Sequence, residues 1–228
     1  MDAVGKAGKN NNFKVSVLTP LPNYPNGKIF KQYKKAANKT VLENNIHVTR
    51  LCIYANNSKN KLLRFLSMLS YSLSLVKFFA FNKTPKTVII QSPPLLVAFT
   101  SLLFLHSKNR KLILNVSDLW PIAGLELGAI KKEKFTYKLL EKIERYNYKK
   151  ADIVLGQSEE IIQHIKSLFP LKSVLLYRNF PNFNSPEISE SNSNSESIKM
   201  VYAGLLGVAQ GIYNLLQNLD FTNIELHI

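Results

Sequence analysis

The sequence predicts an α/β protein, a parallel sheet with helices on both faces, and three observations carry that expectation. Short apolar runs such as "TVIIQS" (87–92) and "KLILNVS" (111–117) recur along the chain, and continuous apolar runs of this kind suit strands buried on both sides. Helix-length segments separate them, the alternation that builds parallel sheets. At 228 residues and 46% hydrophobic, the chain has enough material for one sizeable core.

In order, "FKVSVLT" (13–19) and "IHVTRLCI" (46–53) read as strands, followed by a helix over 60–82. Within it, "KLLRFLSMLSYSLSLVKFFAF" (61–81) is long enough to span a bilayer, but Arg64 and Lys77 bracket only 12 residues, four of them serine. It fits a core-packed helix, one lying at an interface, or a span. Strand 87–92 leads into the apolar helix "PLLVAFTSLLFL" (94–105), which Pro93–Pro94 can begin because proline is tolerated in a first turn. Strand 111–117, a basic helix over about 134–150, strand "DIVLGQS" (152–158), helix "EEIIQHIKSLF" and strand "SVLLY" (173–177) complete the block. Ser158 stands where an N-cap belongs, before Glu159 and Glu160, whose charge suits a helix start.

Residues 184–197, "NSPEISESNSNSES", hold one apolar residue, Ile188, and read as a solvated linker. A βα pattern restarts at "IKMVYAGLLG". This places a boundary near 180–198 and divides the chain into 1–180, a linker 181–197, and 198–228, the last too short to bury a core of its own.

Lys and Arg number 30 against 15 Asp and Glu, a formal net charge of +15. Such a field attracts nucleic acid, an anionic membrane face or phosphorylated substrates. A single cysteine, Cys52, excludes an intrachain disulfide, fits a reducing compartment, and reads as a core thiol. "MDAVGKAGKNNN" lacks the apolar core of a signal peptide, which predicts a chain that is not exported. The segment "KKEKFTYKLLEKIERYNYKK" (131–150) carries eight Lys/Arg, three Glu and interleaved tyrosines. A solvated face with Glu–Lys pairing, a membrane contact and a nucleic-acid groove all suit it. No recognition-helix or RNP-type signature accompanies it, so nucleic acid is not an expected partner.

Ligands of open parallel sheets gather at the carboxyl ends of strands. There "PLPNYPNGKIFKQY" carries Tyr24 and Lys28, and "DLWPIAGLELG" carries Asp118 beside the only tryptophan, Trp120. A carboxylate next to an indole face can hold a sugar, by hydrogen bonds and by stacking. The same residues also fit a helix cap and a plug at the sheet edge. In the tail, Gly204, Gly207 and Gly211 let backbone approach a ligand near a helix start, and a plain strand–turn–helix connection fits equally. The four aspartates (2, 118, 152, 220) form no Asp-x-Asp pair, and the histidines (47, 106, 164, 227) show no metal-ligand spacing. No Walker loop and no Gly-x-Ser-x-Gly elbow occur, which removes NTPase and hydrolase readings.

"VLTPLPNYPNGKIF" (17–30), "QSPPLLVA" (91–98), "DLWP" (118–121), "YKLLEKIERYNYKKADIVLGQSE" (137–159) and "VYAGLLGVAQGIYNLL" (201–216) run in an order that resembles the family-4 glycosyltransferases of GT-B type. The similarity is to the bacterial surface-polysaccharide branch that includes L-fucosamine transferases, and it extends over nearly the whole chain. It implies a Rossmann-like acceptor-side lobe followed by the first βαβ piece of a donor-binding lobe. It also implies transfer of a sugar from a nucleotide-sugar donor to a lipid-linked glycan with retention of configuration, at the inner face of the cell membrane, by a cytoplasmic, peripherally attached protein. By this resemblance Asp118 is the catalytic candidate, Tyr24, Lys28 and Trp120 line the acceptor side, and Gly204, Gly207, Gln210 and Gly211 approach the donor diphosphate. No protein nucleophile, metal or other cofactor is expected. Where the family pattern has an acid and an arginine before "DLWP", this chain has Asn115 and Ser117, and Ile122 stands where a glutamate commonly follows. The family's opening strand and its E-x7-E donor motif have no counterpart here; "DAVGKAGKN" resembles the end of the first helix. The alternative expectation is therefore a non-catalytic acceptor-binding half that pairs with a separate donor-lobe chain, or the remnant of a broken gene.

Overall fold

A computed structural model describes residues 13–58, 60–179, 197–204, 206 and 210–228. The chain is a mixed α/β protein whose main sheet is parallel and flanked by helices. Strand β1 (Ser16–Pro20) pairs in parallel with β3 (Ile46–Leu51), and β2 (Lys39–Glu43) pairs antiparallel with β3 on its other side. Helix α1 (Lys61–Phe81) leads to β4 (Thr87–Ser92), α2 (Leu95–Leu105) and β5 (Lys111–Val116). The short α3 (Ile122–Glu126), α4 (Phe135–Lys150), β6 (Ile153–Gly156), α5 (Glu159–Leu168) and β7 (Val174–Leu176) follow. Strands β4-β5-β6-β7 form a parallel sheet in chain order. Beyond them, β8 (Ile198–Val201) and β9 (Ile224–His227) make a parallel pair joined through α6 (Ile212–Asn218). The linker residues 181–196, the first-helix candidate within 1–12, and Gly207 lie outside the described residues.

Strand order explains the core. Each right-handed crossover in a sheet that grows in one direction delivers its helix to the same face. Ile90, Leu112, Leu114, Val116 and Val154 pack there against Ala98, Leu102 and Leu105 of α2, Tyr148 of α4, and Ile161 and Ile165 of α5. On the alternate positions Ile89 and Leu175 are each 54% exposed.

The hairpin β2–β3 is a strand pair that the apolar pattern does not announce. "KTVLE" is mostly exposed, and its turn is Asn44–Asn45, both with positive φ (48° and 65°). Asparagine tolerates that region, and two such residues suit the tight turn of a hairpin. Arg50 of β3 reaches across to Glu43 with two hydrogen bonds of 2.6 and 2.7 Å, and its guanidinium lies 4.7 Å over the Tyr33 ring.

The basic segment divides its acids. Glu141 faces solvent 3.9 Å from Arg145, as a solvated helix face requires. Glu144 turns inward, 1% exposed, and accepts from the Tyr148 hydroxyl at 3.0 Å while His164 Nε2 lies 3.0 Å away. Burial and the Glu144 charge push the Tyr148 hydroxyl far above its ordinary pKa. One residue pair further on, buried Asn147 donates to the Leu95 carbonyl at 3.2 Å, so α4 holds α5 by one side chain and α2 by another. Ser158 caps α5 as expected, its hydroxyl accepting from Ile161 N, whereas Cys52, expected as a core thiol, is exposed at the end of β3.

Two outcomes are expected. Leu114→Ala, at a fully buried position, should cost about 2–5 kcal/mol in denaturant unfolding. Hydrogen bonding from Arg50 holds the Glu43 carboxyl below its usual value, so this pair stabilises the fold above the ordinary glutamate pKa of about 4.3 and ceases to do so as pH falls through the lowered value. A Glu43→Gln variant should show a flatter stability profile across that acid window, measured by thermal melts at stepped pH.

Candidate functional site

The residues singled out by sequence fall on strand exits. Tyr24 and Lys28 are exposed on the loop that leaves β1, and Tyr24 is 70% exposed. The loop is closed by its own backbone: Gly27 N donates to Asn23 O at 2.8 Å, and Phe30 N to Pro22 O at 3.2 Å. Gly27 has φ +63°, and a Cβ there would run into Asn57 N, so this loop packs directly on residues 56–57. Asn57 also donates through its side chain to the Pro25 carbonyl.

Asp118 and Trp120 leave β5 together. Asp118 is exposed, and none of the described residues gives its carboxylate a hydrogen bond or ion pair. Helix α3 begins at an N-cap of Pro121 with no side-chain cap bond, so Asp118 does not cap it. Trp120 is half-buried over Gly124, where an added Cβ would stand 2.7 Å from Trp120 Cζ3 and 2.9 Å from Ile130 Cδ1. The ring thus packs against its own turn. Behind it, at the end of the sheet, Asn115 Nδ2 donates to Gln91 Oε1 at 2.8 Å and Gln91 Nε2 to Ser117 Oγ at 3.1 Å. Asn115 Oδ1 is buried with no partner in the described structure. Asn115 and Ser117 are therefore linked through Gln91.

The two loops are joined through the start of α1. Asn57 binds the first loop, and four residues later Lys61 Nζ donates to the Ala129 carbonyl at 2.8 Å, at the end of the Trp120 loop. Asn60 caps α1 between these two contacts, accepting from Leu62 N at 2.9 Å. Asn57, Lys61 and the paired glycines 27 and 124 are the site-building residues that sequence reasoning missed. The run "NNSKNK" before an apolar helix was the available signal, since Asn and Ser gather at helix starts. No described hydrogen bond or ion pair links Tyr24 or Lys28 directly to Asp118 or Trp120.

In the tail, Gly204, Gln210 and Gly211 stand between β8 and α6, with Gly211 at φ +65° as the N-cap. Tyr202 lies against Gly204, its hydroxyl oxygen 2.8 Å from where a Cβ would be. The described part of this connection holds no ligating side-chain cluster, and no group of three or more His, Cys, Asp or Glu among the described residues could hold a metal ion.

The fluorescence of the single tryptophan reads out the second loop. Gly124→Ala should displace the Trp120 ring and red-shift its emission toward that of a solvated indole. Gly27→Ala should leave the emission unchanged while costing about 1–3 kcal/mol through its strained backbone, as followed by chemical unfolding. No protein-family model matches this chain, and no curated protein matches it.

Proposed function

We propose that the chain is the acceptor-side lobe of a glycosyltransferase, acting on a lipid-linked glycan with a nucleotide sugar as donor. The observation that carries this reading is the pairing of an unencumbered carboxylate, Asp118, with the half-buried Trp120 ring that packs against Gly124 at a strand exit. A fixed aromatic face stacks on the apolar face of a sugar, and the adjacent carboxylate accepts from its hydroxyls. Tyr24 and Lys28, across the start of α1, supply a second aromatic ring and a cation suited to a phosphate of the acceptor or donor. In such a reaction Asp118 orients the attacking hydroxyl and takes up its proton as the glycosidic bond forms and the nucleoside diphosphate leaves. On this reading Gly204, Gly207, Gln210 and Gly211 serve the donor diphosphate.

The test is a transfer assay with radiolabelled nucleotide sugars and lipid-linked glycan from bacterial membranes, run with the chain alone and with an added donor lobe. Asp118→Asn should lower transfer by about a hundredfold or more, and Trp120→Ala should weaken acceptor binding without unfolding the lobe. Activity that depends on the added lobe identifies the chain as the acceptor half of a two-chain enzyme. Full activity in both variants removes the assignment.

A further inference from the structure

The candidate site lies at the carboxyl ends of the strands, and the amino ends carry a different chemistry. There β4, β5 and β6 begin close together along one edge, with Thr87 opposite Lys111 and Ile113 opposite Ile153. The residues at these starts and in the turn before β5 line a shallow depression of about 400 Å³. Lys86, Lys108, Arg110 and Lys111 meet a single acid there, Asp152, with Thr87 and Asn109 between them.

That acid does not neutralise the four cations. Asp152 is pinned to β5, its Oδ2 accepting from Leu112 N at 2.6 Å while its own N donates to Leu112 O at 2.8 Å. Its charge also acts on Lys172, where burial lowers the pKa of the amine and Asp152 opposes that shift. Arg110 gives its guanidinium to neutral oxygens, donating to Thr84 Oγ1 at 2.7 Å, to Pro85 O at 3.1 Å and to Leu105 O at 2.7 Å. These three bonds fix the group without cancelling its charge. Among the described residues no ion pair involves Lys86, Lys108, Arg110 or Lys111. The solvated face of α4 differs in this respect, since Glu141 stands there 3.9 Å from Arg145. Like charges gathered without counter-charge repel one another and oppose the compact state, until an anion joins them.

We propose that this depression at the amino edge of the sheet binds a compact free anion carrying two or more linked phosphates. Its volume falls within the about 300–1,000 Å³ of ligand pockets, and its charge and shallow form suit phosphate groups rather than an apolar molecule. Three ammonium groups and a fixed guanidinium supply charge-assisted donors. The Thr87 hydroxyl and the Asn109 amide supply neutral ones. The cations come from three segments, the approach to β4, the turn after α2 and the start of β5, so a ligand with several charged groups engages more of them than a single phosphate does. The depression lies at the opposite end of the strands from Asp118, and the proposal stands independently of the transfer reading.

The test is isothermal titration calorimetry of the full chain with inorganic triphosphate, and with sulfate at the same ionic strength. Saturable binding of triphosphate is expected, at least about tenfold tighter than sulfate. Lys108→Gln/Lys111→Gln should weaken it about tenfold or more, and Lys86→Gln alone about threefold or more. Without ligand, the double variant should melt no lower than the parent chain, because both lysines are exposed and their repulsion is relieved. Lys131→Gln/Lys132→Gln removes the same charge beyond the Trp120 loop and should leave the affinity within about twofold. Equal weakening by the two double variants, or triphosphate binding no tighter than sulfate, overturns the proposal, because net charge alone then accounts for the binding. So does binding only to phosphate headgroups displayed on vesicles, or only to single-stranded RNA, with none to triphosphate.

Discussion

The burial of Leu112, Leu114 and Val116 under α2, α4 and α5 is the constraint on which the rest of the molecule depends. A parallel sheet has no hairpins to fix its register, so register comes from the side chains that its crossover helices bury. Here that burial sets Ser92 opposite Val116, and Val116 opposite Gly156. The exits of β4, β5 and β6 are thereby brought level along one edge, where Pro93, Asp118 and Ser158 emerge side by side. A slip of one residue would turn Asn115 into the core and Leu114 out of it. Buried polar contacts sharpen the arrangement: Glu144 pairs with α5 through His164, while Asn147 binds the start of α2. These contacts secure the helices to each other, and the apolar layer secures them to the sheet.

Helix α1 links this sheet to the smaller one. It packs on α2, and its Tyr71 and Leu75 meet Leu51 of β3, with Leu18 of β1 and Val97 of α2 against the same cluster. This second core is far smaller than the first, which explains why hydrogen bonds from serines and from Lys61 carry so much of the attachment. Ser74 donates to the Cys52 carbonyl at 2.8 Å, and Tyr54 N donates to Ser70 Oγ at 2.8 Å. With serines on its inner side, α1 leaves Leu62, Phe65, Leu66 and Leu73 exposed among the described residues, while Phe78 and Phe79 pack against the cores.

The parts legible in sequence were those with a single dominant signal. β4 was read over its full span because "TVIIQS" is apolar and bounded by proline on both sides, and α5 because Ser158, Glu159 and Glu160 announce its start. β2 was missed since "KTVLE" is half polar and lies on an edge, where pairing rather than burial defines the strand. Its turn, Asn44–Asn45, was the only overt sign. The character of α1 stayed open because composition cannot say which side of a blurred amphipathic helix faces in; only the contacts of Cys52 and Tyr54 decide that. In the candidate site, Tyr24, Lys28, Asp118 and Trp120 were legible as residues at strand exits. Their connection was not, because it runs through Asn57 to Pro25 and Lys61 to Ala129, contacts 32 and 68 residues apart in the chain. Glu144 likewise looked like one more surface acid until the fold turned it inward.

The two ends of α1 meet opposite ends of the strands, the loops of Tyr24 and Trp120 at one and a group of lysines at the other. A helix that follows a strand in a βα unit starts at that strand's carboxyl end, so the start of α1 meets the loops of Tyr24 and Trp120. Its far end returns to the amino edge of the next strand, among Lys83, Lys86 and Lys108. At about 1.5 Å per residue the 21 residues of α1 span about 30 Å.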